Sequence, residues 1–371
     1  MRYTLPAPMR RSCRMYDHIL VTGGAGFAGS ALVISLKRAF PEVAISALDN
    51  LHRRGSELNL PELRRHGIRF LHADVRQKDD LLDINPPPDL IIEASAEPSV
   101  QSGYSGSPDY VITTNLTGCF NSLELARRVG ADIILLSTSR VYPFSHLNAI
   151  TFMEEATRFK IAAASGCPGL SARGIAEDFP LDGPRSIYGT TKLAAELLVE
   201  EYGDAFGIRY IIDRFSVLSG PGQMAKLDQG VIALWAAAHV FEQPLSYIGF
   251  GGTGKQVRDV LHVDDFCDLV IDQVRNFSLY CGRRFNAGGG EKCTISLLET
   301  TALCQELTGR KVPIGAEPPN RRADVRIYIS DNSNVSGVNG WRPRREVRET
   351  LADIIQWLNK DAAYLKHLFF S

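Results

Sequence analysis

The chain has 371 residues and a net charge of −1, from 41 Lys and Arg against 42 Asp and Glu, a balance that argues against nucleic acid as its main partner. A hydrophobic fraction of 44% suits a globular protein, the length suggests two domains, and no apolar run is long enough to span a bilayer. Seven scattered cysteines with no Cys-x-x-Cys, and eight histidines with no metal-ligand spacing, point to reduced thiols, a cytoplasmic location and no metal.

The first stretch, residues 1–16, is basic, lacks the apolar core of a secretory signal and reads as a disordered leader. Ile19-Leu20-Val21 is a short apolar strand, followed by the glycine-rich turn Thr22-Gly23-Gly24-Ala25-Gly26-Phe27-Ala28-Gly29 and an apolar helix from Ser30. Gly23 and Gly26 let the backbone turn sharply, the helix N-terminus offers unpaired N–H groups to a pyrophosphate, and Gly29 lets the helix approach the strand. Asp49 ends the next apolar run and lies twenty residues beyond Gly29, where an acid meets a ribose 2′-hydroxyl. That carboxylate favours NAD over NADP by repelling a 2′-phosphate, although Arg53 and Arg54 nearby leave a place for one.

Further strands are expected at Ile68–His72, at Leu90–Ala94 after three prolines, and at Ile133–Leu136. A helix is expected over Asp109–Val129, with Val111, Leu116, Phe120, Leu123 and Leu125 on its apolar face. Strands alternating with helices predict an α/β fold, a doubly wound parallel (Rossmann) sheet over residues 17–215. Residues 143–185 break the pattern as a Gly-, Pro- and Ser-rich insert, with helical hints at Glu154–Ala163. A strong helix follows from Ile187 to Tyr202, with Leu193, Leu197 and Leu198 on its apolar face, and then a strand at Arg209–Ile212. Residues 216–371 read mainly as a smaller, mixed substrate-binding region with helices at Val231–Val240 and Leu297–Leu307. Residues 255–275 are expected to return to the first domain, with Val260–Val263 as a strand of the main sheet.

Tyr188 and Lys192 stand four apart on a helix and so share a face. An ammonium beside a phenol lowers its pKa, and a phenol near neutrality is a useful base toward a sugar hydroxyl. Spacing alone is also met on any amphipathic helix with a surface lysine. It gains weight from Thr138, in a hydroxyl cluster directly after a buried strand, at the edge where such sheets bind ligands.

With these pieces the chain resembles the extended short-chain dehydrogenase/reductase family of nucleotide-sugar epimerases and dehydratases. The matching segments are the glycine turn, Asp49-Asn50-Leu51, Asp74-Val75, Asn115-Leu116-Thr117-Gly118, Thr138 four before Tyr142, Tyr188-x-x-x-Lys192, and the run from Arg258 to Asp265. The resemblance implies catalytic roles for Thr138, Tyr188 and Lys192: Tyr188 takes a hydroxyl proton while hydride passes to NAD, Lys192 binds the nicotinamide ribose and keeps Tyr188 ionised, and Thr138 bonds the reacting oxygen. It implies cofactor contacts from Gly23, Gly26, Phe27, Ala28, Gly29, Asp49, Asn50, Asp74, Val75, Ala94, Ser95, Ala96, Asn115 and Phe215. Substrate contacts are implied for Ser139, Arg140, Ser216, Gln229, Arg258 and Arg321, the last two gripping a diphosphate through their planar forks.

Dehydratases of the family carry Asp-Glu after the catalytic Thr, where this chain has Ser139-Arg140, so epimerisation is favoured. The common His-x-Ala-Ala is here Glu93-Ala94-Ser95-Ala96. Ser216, Asp228-Gln229-Gly230, the run from Gly254 to His262 and the insert look most like the CDP-paratose 2-epimerase (tyvelose epimerase) branch. The resemblance thus implies a homodimer acting on a CDP-sugar at C2. The competing readings are a UDP-sugar 4-epimerase or 4,6-dehydratase, and a non-catalytic NAD-binding protein. His262 reads as a satisfied core histidine and Cys167 as inert.

Overall fold

A computed structural model describes residues 16–104, 106–162, 166–224, 229–360 and 362–370. The expected leader up to residue 15, and Asp228, lie outside the described residues. Tyr16, assigned to that leader, is instead buried, its hydroxyl donating to Asp132 Oδ2 at 2.6 Å.

The first half runs β1 (His18–Thr22), α1 (Phe27–Ala39), β2 (Ala44–Asp49), β3 (Arg69–His72), β4 (Leu90–Glu93), α2 (Gly118–Val129), β5 (Asp132–Thr138), α3 (Ile187–Phe206) and β6 (Tyr210–Phe215). It continues with β7 (Val217–Ser219), α4 (Val231–Phe241), β8 (Val257–His262), α5 (Val263–Arg275), β9 (Arg283–Ala287), β10 (Thr294–Ser296), α6 (Leu297–Thr308), β11 (Ile327–Tyr328) and α7 (Val347–Lys360). Seven strands form one parallel sheet in the order β9-β6-β5-β4-β1-β2-β3. The order reverses between β1 and β4, which opens a crevice at their carboxyl ends.

Near-continuous apolar strands are what a sheet covered on both faces needs. Ile19, Val21, Ile45, Ile92 and Ile134 pack toward α1 and α5. Their neighbours Leu20, Leu48, Ile91, Ile133 and Leu135 point the other way, onto α2 and α3. Ser186 Oγ caps α3 by accepting from Gly189 N at 3.0 Å, and Gly207 ends it at φ 71°.

Several expectations change. The strand around Val260–Val263 does not join the main sheet. It belongs to β8, which pairs with β7, β10 and β11 in a second, four-stranded sheet. What returns to the first domain is α5, packed on α1. The edge of the main sheet is filled by β9, whose sequence Arg-Arg-Phe-Asn-Ala lacks the apolar run of a central strand. The helix expected over Asp109–Val129 is interrupted, because Thr113–Thr117 widens into a π turn. That extra residue rotates the face, leaving Phe120 exposed and turning Asn115 inward. Leu197, expected on the apolar face of α3, is 57% exposed; the buried stripe is Tyr188, Lys192, Ala195, Glu196 and Val199.

The insert holds a short helix, Phe144–Ala149, and two hairpins rather than a helix at Glu154. Phe159 N donates to Lys255 O at 2.9 Å, and its ring packs with Val257 and Ile327. The insert therefore covers the second sheet. A separate core under that lobe joins α4, α6 and α7.

Candidate active site

The crevice between the two lobes is one cavity of about 900 Å³. Its floor is the turn after β1. Thr22 Oγ1 accepts from Ala94 N at 3.1 Å and Ser95 N at 3.2 Å, which ties the turn to the loop after β4. A Cβ on Gly29 would lie 2.1 Å from Gly23 O, so only glycine fits there. Gly23 has φ 62°, and a Cβ on it would meet Ala94 O at 2.9 Å. Gly26 caps α1 with no side-chain bond to its first turn. The Gly26 N–H donates to Gly23 O at 3.0 Å, and Gly26, Phe27 and Ala28 at the start of α1 line the cavity, where a helix N-terminus favours a pyrophosphate. Asp49 is oriented by the same turn: its Oδ2 accepts from Ala25 N at 3.1 Å and its Oδ1 from Leu51 N at 2.8 Å. Burial pushes its carboxyl up, and these N–H groups hold it back. The residues present fit a dinucleotide.

Every residue expected at the cofactor and substrate lines this cavity except Asp74 and Asn115. Asp74 sits behind Val75; burial would raise its carboxyl, but Arg76 and Asn50 outweigh that and bring it to about 2. Asn115 acts through the wall. Its Oδ1 accepts from Glu97 N at 2.7 Å and its Nδ2 donates to Thr191 Oγ1 at 3.1 Å, bracing the first turns of α3.

Tyr188 and Lys192 occupy successive turns of α3 and both face the cavity. Thr138, at the end of β5, stands beside the Tyr188 hydroxyl. Burial pushes the phenol up; the Thr138 hydroxyl and the Arg140 guanidinium oppose the rise, while Glu97 adds to it. Arg140 thus adds a positive charge that opposes the rise, one that helical spacing did not foretell. Burial pushes the Lys192 ammonium down, and the fully buried Glu93 beneath it is the first charge that opposes this. Glu93 accepts from Ser95 N at 3.2 Å and from the Ser122 hydroxyl.

Toward the second lobe, Arg258 reaches Asp324 Oδ1 at 3.1 Å and Val257 O at 2.8 Å. Burial and the neighbouring Arg140 bring it down to about 10. Arg321, Ser139, Ser216 and Phe215 complete this wall. Gln229 also lines it, but its Oε1 accepts from Arg53, which also donates to Met224 O at 2.8 Å. Arg53, weighed above as a host for a 2′-phosphate, is therefore engaged across the cavity.

Among the cavity residues that sequence reasoning missed are Glu97, Asp324 and Tyr328. An acid just beyond the end of an apolar strand was the available signal for Glu97; Tyr328, on a two-residue strand, had none. His262 is buried, and its Nδ1 accepts from Asp264 N at 3.0 Å. Among the described residues no group of three His, Cys, Asp or Glu is placed to hold a metal, and no helix is long and apolar enough to cross a membrane.

A dinucleotide crevice joined to an arginine-bearing lobe defines the chain as an NAD-dependent enzyme of the Rossmann class. Residues 19–288 match the model of the NAD dependent epimerase/dehydratase family, and the chain belongs to that family. It is 29% identical to the CDP-paratose 2-epimerase of Salmonella typhi over 91% of this chain and 98% of that relative. Among solved structures it resembles a dTDP-glucose 4,6-dehydratase double mutant of Streptomyces venezuelae with NAD bound (TM-score 0.77, 25% identity, 94% of this chain and 99% of that one). It also shares the fold of the UDP-glucose 4-epimerase of Thermus thermophilus in complex with NAD (TM-score 0.73, 24% identity, 93% and 99%). NAD is the cofactor of this family.

Proposed function

We propose that the chain is a nucleotide-sugar epimerase that acts at C2 of a CDP-sugar. The observation that carries this reading is the convergence of Thr138, Tyr188 and Lys192 on one cavity with the glycine turn and Arg258. Tyr188, as phenolate, takes the proton of the sugar hydroxyl as its carbon becomes a carbonyl, and gives it back on the return. Thr138 bonds the same oxygen, and Lys192 holds the nicotinamide ribose. Bound NAD supplies the reversible hydride acceptor. Arg258 and Arg321 grip the diphosphate while the keto-sugar turns over. A cavity near the upper end of the ~300–1,000 Å³ range of ligand sites suits two ligands and that rotation.

Ser139 and Arg140 stand where a dehydratase needs its acid pair, which favours epimerisation, and the Salmonella relative favours CDP and C2. The second reading, 4-epimerisation or 4,6-dehydration, draws on the dehydratase relatives, at 26% identity for that of Mycobacterium tuberculosis. Incubation with CDP-, UDP- and dTDP-sugars in heavy water separates them. Epimerisation by hydride return leaves the sugar carbons free of deuterium, whereas dehydration incorporates it. Tyr188→Phe is expected to retain NAD and lose turnover; full activity in it would overturn the mechanism. The exposed Phe120 on α2, and Leu197 and Phe206 on α3, support a homodimer through these two helices. Buried, unpaired Cys119, Cys267, Cys293 and Cys304 support a reducing, cytoplasmic setting.

A further inference from the structure

Asn148, on the short helix of the insert, clasps the backbone of the substrate lobe. Its Nδ2 donates to Asp324 O at 2.8 Å, and its Oδ1 accepts from Arg326 N at 2.8 Å. Its own carbonyl accepts from Arg326 Nη1 at 3.2 Å. A side-chain amide paired with the main chain on both sides of Val325 stands in for a neighbouring strand. The first hairpin of the insert holds the same segment from a second side, with the Phe152 ring centroid 4.0 Å from the Arg326 guanidinium carbon. Val325 and Tyr328 are buried together with Leu147 and Ile150 of the insert. The clasped segment carries a turn that faces the cavity. Asp324 N closes it by donating to Arg321 O at 3.2 Å, and Ala323 within it has φ 58°. A non-glycine residue keeps such a conformation only where its surroundings hold it. Asp324 Oδ1 accepts from Val325 N at 2.8 Å and from Arg258 Nη2 at 3.1 Å.

We propose that Asn148 is a positioning residue for Arg258: by fixing the backbone at residues 324–326 it holds the Asp324 carboxylate where that carboxylate orients the Arg258 guanidinium. The proposal rests on the reading that Arg258 grips the diphosphate of the substrate. Each link from Asn148 to the cavity is short and directional. Arg326 O accepts from Val257 N at 2.9 Å, one residue before Arg258, which sets the clasped segment in register with β8. Among the described residues Asp324 is the one carboxylate that pairs with Arg258. Asp324 and Arg258 both line the cavity, whereas Asn148 does not, so its effect passes through them. Without Asn148 the carbonyl of Asp324 loses that donor, the turn at Ala323 is free to relax, and the carboxylate moves with its backbone. A guanidinium released in this way keeps its charge but loses the fixed fork that makes paired bonds to a diphosphate. The insert thereby takes part in recognition through a residue outside the cavity.

The test is calorimetric titration of the holoenzyme, as purified with NAD, with CDP and UDP and with the monophosphates CMP and UMP. Asn148→Ala, and Asn148→Asp, which keeps the acceptor for Arg326 N but sets a carboxylate against Asp324 O, are expected to bind the diphosphates about 3- to 30-fold more weakly. Their affinity for the monophosphates and their content of NAD should stay close to those of the unmodified enzyme. In an Arg258→Met background the effect of Asn148→Ala should largely vanish, because the residue through which it acts is gone. A merely structural role would lower the affinity for diphosphate and monophosphate alike and would persist in that background, and either result overturns the proposal. So does unchanged diphosphate binding in both Asn148 variants while Arg258→Met weakens it. Should Arg258→Met itself bind the diphosphates as tightly as the unmodified enzyme, the diphosphate grip is refuted and the proposal falls with it. Two replacements of different chemistry keep the test available should one not fold, and two nucleobases keep it independent of the choice of CDP.

Discussion

Replacing Asp213 by Asn should stabilise the protein at alkaline pH and do little at acid pH. Asp213 lies fully buried on β6, where Gln273 Nε2 donates to its Oδ1 at 2.8 Å. Its Oδ2 has no partner, nor has Gln273 Oε1. Burial lifts this carboxyl from 3.8 to about 7, with the Gln273 amide pulling weakly the other way. Between those values the unfolded chain has released the proton and the folded chain still holds it. Stability therefore falls as pH rises through that window, and above it the folded protein carries the full cost of an unpaired buried carboxylate. A gap of about three pH units corresponds to about 4 kcal/mol at 1.36 kcal/mol per unit. Asp213→Asn removes the ionisation and keeps an acceptor for Gln273. Urea unfolding at a series of pH values should show the variant up to about 4 kcal/mol more stable near pH 8, the gain vanishing toward pH 4. A gain independent of pH, or a net loss near pH 8, would refute the assignment of a buried, protonated carboxyl.

Gly29→Ala should compromise the cofactor turn, because its Cβ would press on Gly23 O at 2.1 Å and the backbone there cannot yield. The expected result is NAD lost during purification, measured as bound nucleotide per chain, with stability lowered by about 1–3 kcal/mol. Glu196 and Arg214 form a fully buried ion pair at 2.6 Å that locks α3 to β6. Glu196→Ala should cost roughly 3–5 kcal/mol in thermal unfolding, whereas Glu196→Leu combined with Arg214→Met should restore much of it, since an apolar pair leaves no stranded charge. Glu93→Gln keeps the acceptor for Ser95 N but removes the charge beneath Lys192. The ammonium should then lose its proton at lower pH, and NAD dissociation, followed by fluorescence across a pH series, should set in at lower pH than in the unmodified protein.

The comparison of sequence and structure divides along contact range. The glycine turn, the strands β1, β4 and β5, and Tyr188 with Lys192 are local patterns. Steric demands at Gly29, burial of a strand on both faces and the pitch of a helix act within a few residues, so they can be read directly. The doubly wound sheet follows from their alternation. The small sheet around β8 was invisible, since one short apolar strand is compatible with pairing in either lobe. β9 was invisible because an edge strand tolerates arginines. The insert looked unstructured because what orders it is Phe159 against Val257 and Ile327, about a hundred residues or more away.

On its own, then, the amino-acid order determined the class of fold, the cofactor crevice and the helix that carries Tyr188, all of which follow from short-range sterics and hydrophobic periodicity. The tertiary structure alone decided which charges face which groups: Asp324 against Arg258, Glu196 against Arg214, Arg53 across to Gln229. Electrostatic neighbours are set by distance in space and by the exclusion of water, and the order of residues along the chain encodes neither.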